Sequence, residues 1–516
     1  MAQALEQGST VAVIGSGAMG AGIAQVAAAS GYTVKLFDTR PDAVDKAIAD
    51  IGKVYGKLVE KGRMTGDAAD AARSRLHSVA SMRDVSDAAI VVEAIVENLD
   101  VKRMLFADLE GVVGDDCILA TNTSSISVTA IAAKLRRPER LVGMHFFNPV
   151  PLMALVEVIS GLATSQEVAD TVFATAAAWG KSPVHAKSTP GFIVNRVARP
   201  FYAEGLRLLQ EQAADPATLD AIMREAAGFR MGPFELMDLI GHDINFSVTQ
   251  SVFNAYFGDP RFMPSVLQQE MVNAGFLGRK SGRGFYRYGD DAVKGEPLTE
   301  APRARPDVVS ISIEPGVMNA VTEPLEQRLK AAGFAVAHRK PLPHAGEREA
   351  PGFHCNGAAV FLTDGRSATE RASANKHPDT VLYDLVGDGA TRVALARADQ
   401  CCDAAYDAVV GLFQAAGFAV TLLDDVPGMA VMRTVAMLAN EAADAVNQGV
   451  CSAEAVDIAM QKGVNYPRGP LAWADGVGIA HVVTVLSNLA ASYGEDRYRV
   501  SPLLRRKVAN GTRFHA

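Results

Sequence analysis

Six residues, Gly15-Ser16-Gly17-Ala18-Met19-Gly20, constrain this chain more than any other stretch. They follow Thr10–Ile14 (TVAVI), a β-branched apolar run of the kind that forms a strand buried in a parallel sheet. They lead into the Ala-rich, helical stretch Ala21–Ser30, ended by Gly31, and Tyr32–Phe37 (YTVKLF) then reads as a second strand closed by Asp38. A lone GxGxxG is a weak signal, but strand, Gly-rich turn, helix, strand and terminal acid in this order are what a dinucleotide site requires. Gly15 permits the tight turn, Gly17 lets a pyrophosphate approach the backbone, and Gly20 lets helix and strand pack closely. The helix N-terminus, with its free N–H groups and dipole, would then hold the diphosphate. Asp38 would accept bonds from the adenosine ribose hydroxyls and repel a 2′-phosphate, so NAD is expected over NADP, with Arg40 nearby opposing that preference slightly. FAD is the lesser rival because no second flavin-type signature is present. The competing reading is an α/β turn that binds nothing.

At 516 residues the chain is too long for a single core, and about 100–200 residues per domain suggests three or four domains. It is 49% hydrophobic and 21% charged with a net charge of −8, and no Lys/Arg block is dense enough to track a nucleic-acid backbone. Met1–Thr10 lacks the basic and apolar regions of a secretory signal, so none is expected. No apolar stretch reaches the ~18 residues needed to cross a bilayer. Cys117, Cys355, Cys401, Cys402 and Cys451 are scattered without CxxC spacing. They fit a reducing cytoplasm, with neither a disulfide framework nor a zinc site.

Ala88–Val92 and Cys117–Ala120 continue the strand series around the helical stretch Lys102–Leu109. Glu93 and Glu97 follow the first of these strands, and Thr121-Asn122-Thr123-Ser124-Ser125 follow the second. Leu141–Met144 runs into His145-Phe146-Phe147-Asn148-Pro149. In an open parallel sheet ligands gather beyond the carboxyl ends of strands, so these segments should border a cofactor. Glu157 interrupts the apolar run Leu155–Ile159, where an unpaired carboxylate is costly. His145 lies twelve residues upstream across a turn holding Pro149 and Pro151. A strand–turn–strand would bring the two within hydrogen-bond reach, making the imidazole a base able to take a proton from an alcohol. The alternative is a satisfied core histidine and a glutamate at a solvent-facing edge.

The segments GSGAMGAGIA (Gly15–Ala24), VEAIVEN (Val92–Asn98), NTSSI (Asn122–Ile126), HFFNPVPLM (His145–Met153), LVEVI (Leu155–Ile159), PGFIVNR (Pro190–Arg196), GPFELMDLIG (Gly232–Gly241) and GRKSGRGFY (Gly278–Tyr286) stand in the order found in L-3-hydroxyacyl-CoA dehydrogenases. Over roughly residues 8–290 the chain resembles that family. The resemblance implies an NAD-dependent enzyme with His145 as general base oriented by Glu157, and Ser124 and Asn195 bonding the substrate oxygens. It assigns Gly15, Gly17, Ala18, Met19, Gly20, Asp38, Glu97, Lys102, Asn148 and Lys280 to the cofactor. Coenzyme A contacts come, in the family, from the helical tail after the second strand, where this chain offers Lys53, Lys57 and Lys61; the competing reading of these lysines is a solvated helix face. The substrate implied is an acyl-CoA thioester, short-chain 3-hydroxybutyryl-CoA or 3-hydroxyadipyl-CoA, which places the chain in β-oxidation or phenylacetate-type catabolism. Two rivals stand beside this: a β-hydroxyacid dehydrogenase, which would need a catalytic Lys on its helical domain, and a non-catalytic dinucleotide-binding relative.

Pro190–Ile244 lies on Pro427–His481 at a constant offset of 237, with 11 of 55 positions identical, mostly Gly, Pro and acidic residues. These residue types mark helix ends and turns, so the C-terminal part reads as a second copy of the helical domain. Asn195 corresponds to Met432, and no Gly-rich loop or His–Glu pair precedes the second copy. It is expected to be structural. Between the copies, the apolar runs Val308–Ile313, Ala358–Leu362, Val381–Leu385 and Val393–Leu395 and the helical stretches Val317–Ala332 and Asp403–Ala416 suggest a small α/β domain without the fingerprint. The expected order is an NAD-binding Rossmann domain (8–188), a helical domain (189–290), an accessory α/β domain (306–423) and a second, non-catalytic helical domain (424–516). Short members of the family dimerise through the helical domain, so the fused copy implies either a monomer with an internal pseudo-dimer or a homo-oligomer.

Overall fold

The computed structural model describes residues 3–290, 292–293, 295–307, 309–312, 319–339 and 352–515. Val308, Ile313 and Val317, which bound two of the expected elements, lie outside the described residues. The chain forms two compact units, Met1–Arg196 with Gln448–Val464, and Val197–Asn447 with Asn465–Ala516. Residues 189–196 and 448–464 pack with the N-terminal sheet.

The first unit holds strands β1 (Thr10–Ile14), β2 (Thr33–Phe37), β3 (Leu76–Ser78), β4 (Ile90–Glu93), β5 (Ile118–Thr121), β6 (Leu141–Phe146), β7 (Leu155–Ser160) and β8 (Ser182–Lys187). Their order is β3-β2-β1-β4-β5-β6-β7-β8, with the reversal beside β1 that makes a nucleotide crevice. All neighbours are parallel except β6 and β7. The chain between those two is too short for a crossover helix, and an antiparallel return is what remains. Central strands are buried on both faces, which is why they read as continuous apolar runs: Val11 and Ile90 on one face and Ala12 and Val91 on the other are all 0% exposed. The helices Ala18–Ala29, Pro41–Glu60, Gly66–Ser74 and Gln166–Ala178 close over them through small or apolar residues such as Ala24, Ile51, Ala72 and Val172.

The second unit carries a seven-stranded sheet of β9 (Val309–Ser312), β10 (Ala337–Arg339), β11 (Gly352–Cys355), β12 (Ala358–Leu362), β13 (Thr380–Tyr383), β14 (Arg392–Arg397) and β15 (Ala419–Leu422), in the order β10-β9-β11-β12-β13-β14-β15. The offset of 237 found for the helical copies reaches back into this sheet: β14 begins 237 residues after β7, and the helix Asp403–Ala415 matches Gln166–Ala178 end for end. The helical copies meet around Val431–Asn447, whose residues 431–445 are all buried. Buried charge there is matched: Arg433 Nε lies 2.6 Å from Glu204 Oε2, both side chains fully enclosed, and Arg261 pairs with Glu441 and Asp444. Among the described residues no single helix is long and apolar enough to cross a membrane.

Candidate active site

The glycines of the first turn are explained by their neighbours. Gly15 has φ +104°, and a Cβ there would stand 2.5 Å from the Ala94 carbonyl oxygen. A Cβ on Gly20 would stand 1.8 Å from the Gly15 carbonyl oxygen, so turn and helix could not close. At Gly17, by contrast, nothing lies within 4 Å of the Cβ position. Gly17 caps the helix Ala18–Ala29 and borders a cavity of about 480 Å³ lined also by Ser16, Ala18, Arg40, Lys46 and Asn148. Met19 packs partly buried against the core.

Asp38 ends β2 within reach of this turn. Its Oδ2 accepts from the Ser16 N–H (2.9 Å) and hydroxyl (2.8 Å), and its Oδ1 accepts from the Arg40 N–H (3.0 Å). Burial works to raise its pKa, but these donors bring it down to about 2. A carboxylate so held is a fixed acceptor, and Arg40, which the sequence set against the NAD preference, spends its Nε on the same oxygen at 3.4 Å.

At the other end of the strand series the His145–Glu157 relation is direct. Register pairs the two residues across β6 and β7, and His145 Nδ1 lies 2.7 Å from Glu157 Oε2. Both are enclosed, at 5% and 0% exposed. Glu157 Oε1 accepts from the N–H groups of Ile193 (3.0 Å) and Val194 (2.9 Å), so the carboxylate that looks misplaced in an apolar strand is fully partnered. The acid also fixes the imidazole's tautomer, leaving Nε2 as the ring's free acceptor. Phe147 and Phe192 flank the ring at 4.6 and 5.9 Å between centroids.

Ser124 and Asn195 meet beside this pair, with Asn195 Nδ2 3.4 Å from the Ser124 carbonyl oxygen. The loop carrying Ser124 is clamped by Glu97, whose Oε1 accepts from the Thr123 hydroxyl (2.6 Å) and the N–H groups of Ser124 (3.0 Å) and Ser125 (3.2 Å). Burial would raise the Glu97 carboxyl, but the Thr123 hydroxyl and the Lys102 ammonium hold it below the usual carboxylate range. Lys102 is 1% exposed, with its Nζ 2.6 Å from Glu93 and 3.3 Å from Glu97. Glu93 takes a further bond from the Thr121 hydroxyl at 2.7 Å. The Glu93 role was not visible in the sequence; the available signal was an acid at a strand end with a Lys one helical turn into the following helix.

Two further sets of sequence candidates lie on other elements. Lys53 pairs with Asp50 on an exposed helix face and, with Lys57 and Arg73, lines a shallow depression separate from the cavity at the Gly-rich turn. Lys280 belongs to the second unit, where its ammonium bonds Asp243 at 2.7 Å. Among the described residues no His/Cys/Asp/Glu group could hold a metal ion.

The corresponding region of the second unit is rebuilt. Register pairs Tyr383 with Leu395, and the Asp384 N–H bonds the Ala394 carbonyl. Asp384 therefore stands at the position of His145, and Ala394 at that of Glu157. The Asp384 carboxylate accepts from the N–H groups of Ala430 (2.9 Å), Val431 (2.7 Å) and Met432 (2.9 Å). Beside it the helix Ile479–Tyr493 lies directly on the loop after β12: a Cβ on Gly365 would meet the Val485 carbonyl at 2.4 Å, and Asn488 bonds the Asp364 carbonyl.

A nucleotide crevice, a buried His–Glu pair and a duplicated helical domain define a class of dehydrogenase, and the comparisons agree. The 3-hydroxyacyl-CoA dehydrogenase NAD-binding domain matches residues 10–189, its C-terminal domain matches 191–288 and 428–513, and a 3-hydroxybutyryl-CoA dehydrogenase reduced Rossmann-fold domain matches 360–427. The chain belongs to the 3-hydroxyacyl-CoA dehydrogenase family and is an NAD-dependent oxidoreductase of that class. It is 42% identical over 499 residues, 97% of either chain, to the 3-hydroxyadipyl-CoA dehydrogenase of Escherichia coli (strain K12). It is similar over 98% of its length to the crystal structure of an Escherichia coli 3-hydroxybutyryl-CoA dehydrogenase, covering 99% of that chain, with a TM-score of 0.88 at 41% identity. A probable 3-hydroxybutyryl-CoA dehydrogenase of Deinococcus radiodurans is 46% identical over 276 residues, 54% of this chain and 99% of that one. Family membership sets aside the β-hydroxyacid dehydrogenase alternative.

Proposed function

We propose that the chain oxidises the 3-hydroxyl of a short acyl-CoA thioester to the ketone, reversibly, with His145 as general base. The observation that carries this is the enclosed His145–Glu157 pair at 2.7 Å. Its Nε2 accepts the hydroxyl proton, and Glu157, already anchored by two backbone donors, stabilises the imidazolium that forms. The side chains of Ser124 and Asn195 bond the substrate oxygen as it gains carbonyl character. Glu97 keeps the Ser124 loop in place.

The residues around the Gly-rich turn fit NAD: Gly17 leaves open space at a helix N-terminus, and Asp38 is held ionised at the tip of β2. When bound, the cofactor supplies the hydride acceptor. Gly15, Gly17, Ala18, Met19 and Gly20 would hold its diphosphate and Asp38 its ribose, and Glu97, Lys102, Asn148 and Lys280 are the further residues we assign to the cofactor. Lys102 would act there through Glu97, since its ammonium is already shared between two carboxylates. For coenzyme A, Lys53 and Lys57 remain on the helical tail, and Lys46 and Arg40 line the cavity itself.

Names of the relatives support a substrate with a four-carbon acyl group or a six-carbon one ending in carboxylate; our reading places it in the cytoplasm, in β-oxidation or phenylacetate-type catabolism. We read the domains as 8–188, 189–290, 306–423 and 424–516, the third an accessory α/β domain and the fourth a non-catalytic helical copy, with the helical copies paired inside one chain as a pseudo-dimer. An assay with acetoacetyl-CoA and NADH tests the activity: rapid absorbance loss is expected, and none would contradict it. Thioesters of rising chain length, with and without a terminal carboxylate, then discriminate the substrate.

A further inference from the structure

We infer that Gln448–Val464, a segment numbered within the second helical copy, is a working part of the catalytic unit, with Gly463 as a positioning residue for Glu157. The inference rests on the reading of His145 and Glu157 just given. The segment packs with Met1–Arg196, and its helix Ala453–Gly463 lies on β7 and β8. The Lys187 N–H at the end of β8 bonds the Val450 carbonyl at 2.9 Å, and Arg196 Nη1 bonds Gln448 Oε1 at 2.9 Å. Val456, Ala459 and Met460 are 0% exposed, so the docking face is dry.

The contact falls on the two elements that set Glu157. A Cβ on Gly463 would stand 2.6 Å from Leu155 Cδ2 and 3.1 Å from Val194 Cγ2. Leu155 begins β7 two residues before Glu157, and Val194 supplies one of the N–H groups that Glu157 accepts. Gly463 thus packs closely against side chains of both elements, the strand that carries Glu157 and the residue that supplies its backbone donor. Cys451, just ahead of the helix, lies near enough to Glu157 for that carboxylate's charge to add to the burial that raises its thiol pKa to about 12.

The arrangement is reciprocal. In the second unit the first copy's helix Pro216–Glu225 lies on β14, the counterpart of β7. There Arg392 Nε bonds Glu225 at 2.9 Å, the Thr391 N–H bonds the Glu225 carbonyl, and the Gly387 N–H bonds that of Ala226, the residue matching Gly463. Each helical copy supports the other copy's α/β sheet. Only the support on β7 bears on an intact His–Glu pair.

The test is made in the full-length chain with Gly463→Val, Gly463→Ala and the compensating double variant Gly463→Val/Leu155→Ala. The elements packed on β7 carry His145, Glu167, Asp170, His185, Lys187, Arg196, Cys451, Glu454, Asp457 and Lys462 as titratable groups. None of these is changed by the substitutions, so a moved pH profile reports geometry. Expected for Gly463→Val is a kcat lower by ~10-fold or more, NADH affinity within twofold of wild type, and a shifted acid limb of kcat/KM. Gly463→Ala should move the same way by two- to threefold, and Leu155→Ala should restore most of the loss. Unchanged kcat and pH limb in folded Gly463→Ala and Gly463→Val would overturn the inference. So would a loss with an unmoved pH limb and no rescue, which marks a merely structural contact. His145→Gln, measured alongside, reports on the base assignment alone.

Discussion

Asp384 occupies the strand position in the second sheet that His145 occupies in the first, and Ala394 occupies that of Glu157. The acid has moved across the strand pair, and it bonds directly the N–H groups that the repeat aligns with those held by Glu157. What persists in both halves is a carboxylate tying the sheet to the first turn after the PG motif. What is lost is the imidazole. The duplicated half therefore keeps the structural half of the pair's work and none of its proton chemistry.

The buried Asp384 carries a pH signature. Burial raises its pKa to about 6 against the pull of four backbone N–H donors, compared with about 3.9 in an unfolded chain. The folded state then binds the extra proton between these values, so its stabilising contribution is full below about pH 4 and is lost as pH rises through 6. The shift corresponds to about 3 kcal/mol. Urea unfolding of wild type and Asp384→Asn at pH 4.5 and 7.5 should show the wild-type advantage shrinking by that order. An advantage that grows with pH would contradict the assignment.

Much of the catalytic pair was legible because a lone carboxylate in LVEVI is expensive, and period-2 alternation with a tight return fixes which residue faces it. Asp384 was not legible. It lies ten residues before Ala394, whereas His145 lies twelve before Glu157, and that shorter turn breaks the gapless alignment that revealed the helical repeat. The strands β1, β4, β5 and β7 were read from their apolar runs; β8, with Ser182, Pro183 and Lys187, had no such run to show. The docking of residues 448–464 on β7 and β8 depends on tertiary packing, which no local pattern encodes.

Lys102 supports the site by neutralising charge. Lys102→Met leaves Glu93, 0% exposed, without its cation, a loss of about 3–5 kcal/mol in folding stability. Denaturant titration checks this. Within whatever stays folded, the Ser124 loop should loosen, read as faster amide exchange at Ser124 and Ser125.

Asp38 sets cofactor choice. Asp38→Ala removes the acceptor expected to meet the ribose hydroxyls and releases Arg40. A net loss worth one such bond, about 1.5–3 kcal/mol, predicts NADH binding weakened by about 10- to 100-fold. NADPH should weaken less, so the ratio of the two dissociation constants moves toward NADPH. An unchanged ratio would place the discrimination elsewhere.

The imidazole itself offers the most direct measurement: steady-state turnover of acetoacetyl-CoA by His145→Gln, with NADH affinity measured on the same preparation. General base catalysis is worth about 10²- to 10⁴-fold, and kcat should fall by that order while NADH binds as in wild type. Turnover preserved with cofactor affinity lost would contradict the role given to His145.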